Sequence, residues 1–196
     1  MVIGLCGKSG SGKSAICSAL MSRGAFIIDA DSIARDIVDN KLTDRLKIAF
    51  PECYNEDVLD RRKLADIVFN NRDKLEVLNS LTHPVIKNEI VKHINSNKTN
   101  KYIIVDAPVL IEAGLKDVCD CTVCVVADDK LRKKRIILRD NLKDTEAESR
   151  ISAQKPDGFY IDNTDICIMN NGDDSLDKLA ESVLERSSVF VEENCT

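Results

Sequence analysis

The sequence predicts an α/β protein: a five-stranded parallel sheet with helices on both faces, a helical insertion and a helical lid. Three observations carry this. Five short apolar runs are separated by segments of helical periodicity, the alternation that a parallel sheet with covering helices produces. Each run is apolar almost throughout, as in strands buried on both faces, where a sheet with one wet face would alternate. Two stretches, 32–95 and 128–160, stand outside the alternation. They are placed as insertions at the carboxyl edge of the sheet, where open α/β sheets bind ligands.

The elements follow in order. "VIGLC" (2–6) is the first strand. Residues 13–23 form a helix with Ile16, Ala19 and Leu20 on one face and Gly24 as its stop. "AFIIDA" (25–30) is the second strand. The segment 32–49 begins with Ser32 as its cap and carries Ile33, Ile37 and Val38. The remainder of 32–95 reads as helix with no strand. Within it, Pro84 takes the first helical position of 84–95, ahead of Val85, Ile86, Ile90 and Ile94. "NSNKTN" (95–100) is a polar turn, and "YIIVDA" (102–107) and "TVCVVA" (122–127) are strands. Helices are expected over 129–141 and 145–154, then the last strand "DICIMN" (165–170) and a helix over 174–191. The chain thus divides into a core (1–31 with 96–127 and 161–196), the insertion 32–95 and the lid 128–160.

Composition removes several function classes. The net charge of −5 lacks the basic footprint of a nucleic-acid binder. No apolar run reaches the roughly 18 residues of a membrane span. The opening Met-Val-Ile-Gly has neither a basic leader nor a small-residue cleavage site, so a cytoplasmic location is expected. In that setting the eight cysteines, Cys6, Cys17, Cys53, Cys119, Cys121, Cys124, Cys167 and Cys195, are small buried apolar residues of a reducing compartment. "CDCTVC" (119–124) has a metal-like spacing, but in a strand Cys121 and Cys124 point to opposite faces. The chain has only two histidines, His83 and His93, and no second CxxC to complete a ligand set.

The chemistry begins at Gly7-Lys8-Ser9-Gly10-Ser11-Gly12-Lys13-Ser14, a full match to G-x-x-x-x-G-K-[ST] between a strand and a helix. Glycines let successive backbone N–H groups face one phosphate, and the helix start adds its positive end. Lys13 can reach the β- and γ-phosphates, and the Ser14 hydroxyl can ligate Mg²⁺. Lys8, Ser9, Gly10, Ser11, Gly12 and Ala15 complete the expected cradle for a nucleoside triphosphate. A GTP-dependent switch would need Asp-x-x-Gly and Asn-Lys-x-Asp, and neither occurs. The chain is also short for a motor domain, which leaves a small phosphotransferase. Asp29 and Asp31 end the second strand beside the loop, where a carboxylate can orient an attacking hydroxyl and take its proton. The same junction is also where a helix cap belongs.

Taken together, "IGLCGKSGSGKS", "IDADSIAR", "LDRRKLADIVFNN", "LNSLTHPVI", "DAPVLIEAGL", "LRKKRIILRD", "ESRISAQ" and "NNG" resemble the dephospho-coenzyme A kinases, collinearly over 2–173. The loop is shared by many enzymes. The combination of IDAD-x-x-AR, a His-Pro dipeptide and P-x-L-x-E is far more specific. The resemblance implies a P-loop kinase-like fold in which ATP, with Mg²⁺, phosphorylates the ribose 3′-hydroxyl of dephospho-CoA. It implies Asp31 as catalytic base, with Asp29, Arg35, His83, Pro84 and Leu110 at the acceptor, which 32–95 would bind. Pro108 and Glu112 match the same segment as Leu110. A lone histidine at a helix start is as readily a cap or a core residue, and both readings of His83 stay open. Asp106 stands where a carboxylate could hold Mg²⁺ through water.

Arg132, Arg135 and Arg139 are spaced to share one helix face. A solvated basic face would explain them. The resemblance instead makes Arg135 and Arg139 lid arginines, with Arg139 on the transferring phosphoryl, and matches Arg150 and Gln154 to the next lid helix. Asn170 and Gly172 match an Asn-x-Gly segment at the adenine edge. The chain departs from the family pattern at Cys6-Gly7-Lys8, where Thr-Gly-Gly is usual, and at Ala15, where a Thr is frequent. It also departs at Met169, which replaces an Asp, and at Lys155, which stands in for a basic residue placed later. Two other classes share the loop: a kinase for a nucleoside or another small alcohol, and a non-catalytic nucleotide-binding regulator. The long insertion with its His-Pro disfavours the first. A positioned base, which a pure binder does not need, disfavours the second.

Overall fold

The structure, a computed structural model, describes residues 1–194, so Cys195 lies outside the described residues. In chain order, β1 (Val2–Gly7) leads through the glycine-rich loop into α1 (Lys13–Ser22), and β2 (Phe26–Asp29) into α2 (Ala30–Asp36). The insertion continues through a π-helical turn (Ile37–Lys41) and α3 (Thr43–Ala49). Next come a hairpin of β3 (Tyr54–Asn55) and β4 (Val58–Leu59), then α4 (Arg61–Phe69) and the long α5 (Arg72–Ser96). The core resumes with β5 (Ile103–Asp106) and β6 (Cys121–Val126). Helices α6 (Asp129–Asp140), α7 (Asp144–Ser152) and α8 (Asp157–Asn163) follow, then β7 (Ile166–Met169) and α9 (Leu176–Asn194).

The main sheet is parallel in the order β2-β5-β1-β6-β7. The chain leaves β1 for one edge and later returns to fill the other side. The switch in direction opens a crevice at the carboxyl end of β1, the place where such sheets bind ligands. Register then decides what meets there. Asp29 at the end of β2 is the direct partner of Asp106 at the end of β5, and Leu5 of β1 is the next in line.

Both faces of the sheet are covered. Ile3, Leu5, Ile104, Val123 and Val125 pack with Ile16 and Leu20 of α1 and with Leu179 and Val183 of α9. Cys6, Val105, Cys124 and Val126 pack on the other side with Ile90 and Ile94 of α5 and with Leu110 and Tyr160. Cys121 belongs to the first core and Cys124 to the second, as strand alternation requires. A third core fills the insertion, built on Ile37, Leu46, Phe50, Leu64 and Val68. Burying each such side chain contributes about 1.5–3 kcal/mol. Among the described residues no helix is long and apolar enough to cross a membrane.

Several expectations for 32–95 need correction. The helix after β2 begins at Ala30, because the cap is Asp29, whose carboxylate accepts from the Ser32 N–H at 3.0 Å. The expected continuous helix over 32–49 instead passes through the π turn, closed by Leu42 N–H donating to the Ile37 carbonyl. The insertion does contain strands. The hairpin turns at Glu56, with φ of 56°, and lacks the Asn-Gly or Asp-Gly signal of such turns. Pro84 is not at a helix start. It lies inside α5, which is capped at Asn71 by a bond from the Lys74 N–H at 3.1 Å. Helix α8 was not foreseen in the sequence either.

Candidate active site

The phosphate loop is held by its carbonyls. Ser9 O accepts from Arg132 Nε at 2.9 Å, and Gly10 O and Ser11 O accept from Arg135 Nη1 at 3.3 Å each. Ser11 O also accepts from Asn170 Nδ2 at 2.8 Å. In a trans peptide the N–H points opposite to the carbonyl. Arg132, which does not line the cleft, draws the Ser9 carbonyl away from it and so turns the following Gly10 N–H toward the cleft, while the Ser11 N–H donates back to the Lys8 carbonyl at 3.1 Å. Two glycines make this packing possible. Gly10 (φ 79°) would place a Cβ 2.7 Å from the Arg132 carbonyl, and Gly12 (φ 92°) would drive one into the Asn170 side chain. Gly12 caps α1, whose first N–H groups have no intrahelical partners. The Ser11 hydroxyl is buried without a hydrogen-bond partner among the described residues.

The loop opens on a cleft of about 800 Å³ lined also by Lys13, Ser14, Ala15, Asp29, Asp31, Arg35, Asp106 and Pro108. Leu138, Arg135, Arg139, Arg150 and Gln154 form its lid side. Lys13 Nζ is ion-paired with Asp106 Oδ1 on the cleft floor, where both side chains are largely buried. Asp31, in the first turn of α2, carries a pKa above the ordinary aspartate range. The main cause is protein crowding around the carboxyl; Lys13 opposes it, while Asp29 and Asp106 add to it. A carboxylate that is open to the cleft yet reluctant to ionise is suited to taking a proton.

The lid side is pre-charged. Arg139 donates to both oxygens of Asp140 at 2.7 and 2.8 Å, and Arg150 Nη1 donates to Asp140 Oδ2 at 2.6 Å. Asp140 raises the pKa of Arg139, and Arg139 is the main cause of the lowered pKa of Asp140. Neither guanidinium is committed to the cleft, so both are available to an incoming anion.

Other predicted residues lie elsewhere. Leu110 is fully buried against the Gly4 backbone in the second core, which is a packing role. His83 is partly buried within α5, where burial lowers its pKa against the opposing charge of Glu112; neither it nor Pro84 lines the cleft. Lys8 contributes its backbone to the loop, but its ammonium turns into the lid segment and meets Asp157 at 2.6 Å. Asn170 is buried and holds the loop. Gly172 adopts φ 92° with open space around it. The sequence reading missed two residues. Arg132 was grouped with its helix face, yet it is fully buried on the loop. Leu138, an exposed apolar side chain, lines the cleft among mainly charged and polar residues. Only the i, i+3, i+7 spacing signalled the first, and nothing signalled the second.

The oxygen donors that line the cleft with Lys13 are the Ser14 hydroxyl and the Asp29, Asp31 and Asp106 carboxylates. They are hard oxygens that suit Mg²⁺, which takes one or two carboxylates plus substrate phosphates in preference to a protein cage. No cluster of three His, Cys, Asp or Glu residues able to hold a metal occurs among the described residues. The oxygen donors that line the cleft are of the kind that takes Mg²⁺ together with a nucleotide's phosphates.

The model of the dephospho-CoA kinase family matches residues 1–175. The chain belongs to the dephospho-CoA kinase family. A dephospho-CoA kinase from Fusobacterium nucleatum is 37% identical over 177 residues, covering 87% of this chain and 90% of its own. A crystal structure from Thermus thermophilus superposes with a TM-score of 0.83 at 30% identity, covering 98% of this chain and 97% of that one. A dephospho-CoA kinase from Campylobacter jejuni gives 0.69 at 26% identity, covering 96% and 98%. These coverages extend the likeness of this dephospho-CoA kinase family member through the insertion and the lid as well as the loop.

The electrostatics give a first prediction. Asp29→Asn keeps the cap, since asparagine caps as well as aspartate, and removes a charge that raises the Asp31 pKa. If Asp31 must be ionised, activity falls as pH drops through its pKa. The acid limb of kcat/KM is therefore expected to move to lower pH in this variant, measured as a pH–rate profile beside the wild type.

Proposed function

We propose that the protein transfers the γ-phosphoryl group of ATP to the ribose 3′-hydroxyl of dephospho-CoA, yielding coenzyme A and ADP. The observation that carries this reading is the meeting of Lys13 and Asp31 in one cleft on the phosphate loop, in a chain of this family. ATP phosphates lie along the loop N–H groups and Lys13. The Ser14 hydroxyl, with Asp106 through water, would hold Mg²⁺, which supplies charge neutralisation on the transferring phosphoryl when bound. Lys13 must then exchange Asp106 for phosphate oxygens. Asp31 accepts the proton of the 3′-hydroxyl and aims its oxygen at the terminal phosphorus, with Asp29 and Arg35 beside it. Phosphoryl transfer has a loose transition state, so positioning and charge neutralisation supply most of the rate. Residues 32–95 bind the acceptor.

Residues 128–160 act as the lid. Arg139 leaves Asp140 for the phosphoryl oxygens, and closure excludes water as a competing acceptor. Arg135 and Asn170 serve ATP by shaping the loop they already hold. His83, Pro84 and Leu110 support the acceptor site from behind, through the packing of α5 and of the segment after β5. The test is ADP release with dephospho-CoA, adenosine, a nucleoside monophosphate or water as acceptor, with mass analysis of the product. Dephospho-CoA is expected to stand well above the rest and to gain one phosphate. Equal rates for all four would discard the reading.

A further inference from the structure

Two buried cations occur at positions where the G-x-x-x-x-G-K-[ST] pattern makes no demand of its own. Lys8 is 6% exposed, with Nζ 2.6 Å from Asp157 Oδ1 and 3.7 Å from Asp129 Oδ1. Arg132 is 0% exposed. Its Nε donates to Ser9 O at 2.9 Å, its Nη2 to Gln154 Oε1 at 2.6 Å, and its Nη1 to Asp129 Oδ1. Asp129 serves both cations. The partners fall at the junctions of the lid: Asp129 opens α6, Gln154 follows α7 and Asp157 opens α8. Residues 8 and 9 of the loop are thus tied to all three lid helices at their roots, along one wall of the cleft.

We propose that the Lys8 and Arg132 side chains position the donor site: they lock the phosphate loop to the lid root and so set ATP affinity through charged groups that are engaged by protein partners and not by ATP. The physics is local. A buried cation that loses its counter-charge is strongly disfavoured, so each ion pair fixes the distance between loop and lid. The guanidinium fork fixes direction as well, which an ammonium cannot do. Arg132 holds the Ser9 carbonyl outward, so the Gly10 N–H is aimed into the cleft. Loosening any partner lets that peptide rotate, and one phosphate donor is lost. The arrangement also divides the lid. Its root is fixed to the loop by buried cations, while Arg139 and Arg150, about half exposed and paired among the described residues with Asp140, remain free to move.

The inference rests on the loop being an ATP site, and its test does not depend on the acceptor. ATP dissociation constants would be measured by equilibrium titration of the full chain. Steady-state kinetics would follow, with ATP and dephospho-CoA varied separately. Lys8→Asp and Asp157→Lys are each expected to weaken ATP by about tenfold or more. The double variant carrying both reversals is expected to return to within about threefold of the wild type. Arg132→Lys keeps the charge but loses the fork, and is expected to weaken ATP nearly as much as Arg132→Gln. The KM for dephospho-CoA should stay nearly unchanged throughout.

Unchanged ATP affinity in folded single variants, with only the thermal midpoint lowered, would reduce the network to a fold support and overturn the proposal. So would a folded double reversal no better than the worse single variant. Should a reversal not fold, Lys8→Met with Asp157→Asn carries the same comparison through isosteric neutral side chains. A wild type that binds ATP yet ignores dephospho-CoA would remove the proposed reaction while leaving this inference to be judged on the ATP constants.

Discussion

Asp31→Asn is expected to lower kcat by about 10²–10⁴-fold, the range for loss of a positioned general base, while ATP binding is kept or tightened. Asparagine matches the shape of aspartate but cannot take a proton. The variant also removes one of the carboxylates that crowd Lys13, which lowers the repulsion an entering triphosphate meets. The wild-type profile should show an acid limb above the ordinary aspartate range, because crowding and the neighbouring carboxylates raise the Asp31 pKa. The variant should lose that limb along with its rate. Rate measurements from pH 5 to 9 with an ATP titration check both halves. Near wild-type turnover would remove Asp31 from the reaction.

Lys13→Met is expected to cost more than the loss of one phosphate contact. Lys13 is the partner of Asp106 and the chief group lowering the Asp31 pKa. Without it, the floor of the cleft holds Asp29, Asp31 and Asp106 with no cation from the loop's lysine position. Two losses then compound. Charge stabilisation at the transferring phosphoryl disappears, by itself worth about 10²–10³-fold in comparable sites. The Asp31 pKa also rises further, so less of the base is ionised at neutral pH. The acid limb should move upward, opposite to its movement in Asp29→Asn. Comparing the two profiles checks the shared cause: limbs that move the same way would show that Asp31 is not the titrating group.

Much of this was legible in the sequence, and the reason is physical. Strands buried on both faces are nearly continuous in apolar residues, so β1, β2, β5, β6 and β7 appear within a residue or two of their places. The phosphate loop is legible because backbone N–H groups can surround an anion only where glycine permits the turn. The insertion was harder to read. A hairpin of two-residue strands has no period to detect, and Asp29 won the cap from Ser32 through a hydrogen bond that spacing alone does not rank. Pro84 misled because a proline normally marks a first turn, while here it sits on the exposed side of a helix already stabilised at both ends by two cores. The sequence showed Arg132 as one of three basic residues on a face. Only packing shows that it points inward to the loop while Arg139 stays partly exposed at the cleft, paired with Asp140.

The length of α5 has a consequence for engineering. Its first half, through Leu75, Leu78, Leu81 and Val85, belongs to the insertion, and its second half, through Ile90 and Ile94, belongs to the sheet. One rod therefore anchors both bodies, and no flexible tether joins the return from the insertion to the sheet. A chimera that trades residues 32–95 for the equivalent block of another kinase would have to cut this rod or import it whole, with its sheet-facing residues rematched. Recognition of a new acceptor is better sought by changing side chains along the cleft than by exchanging the module.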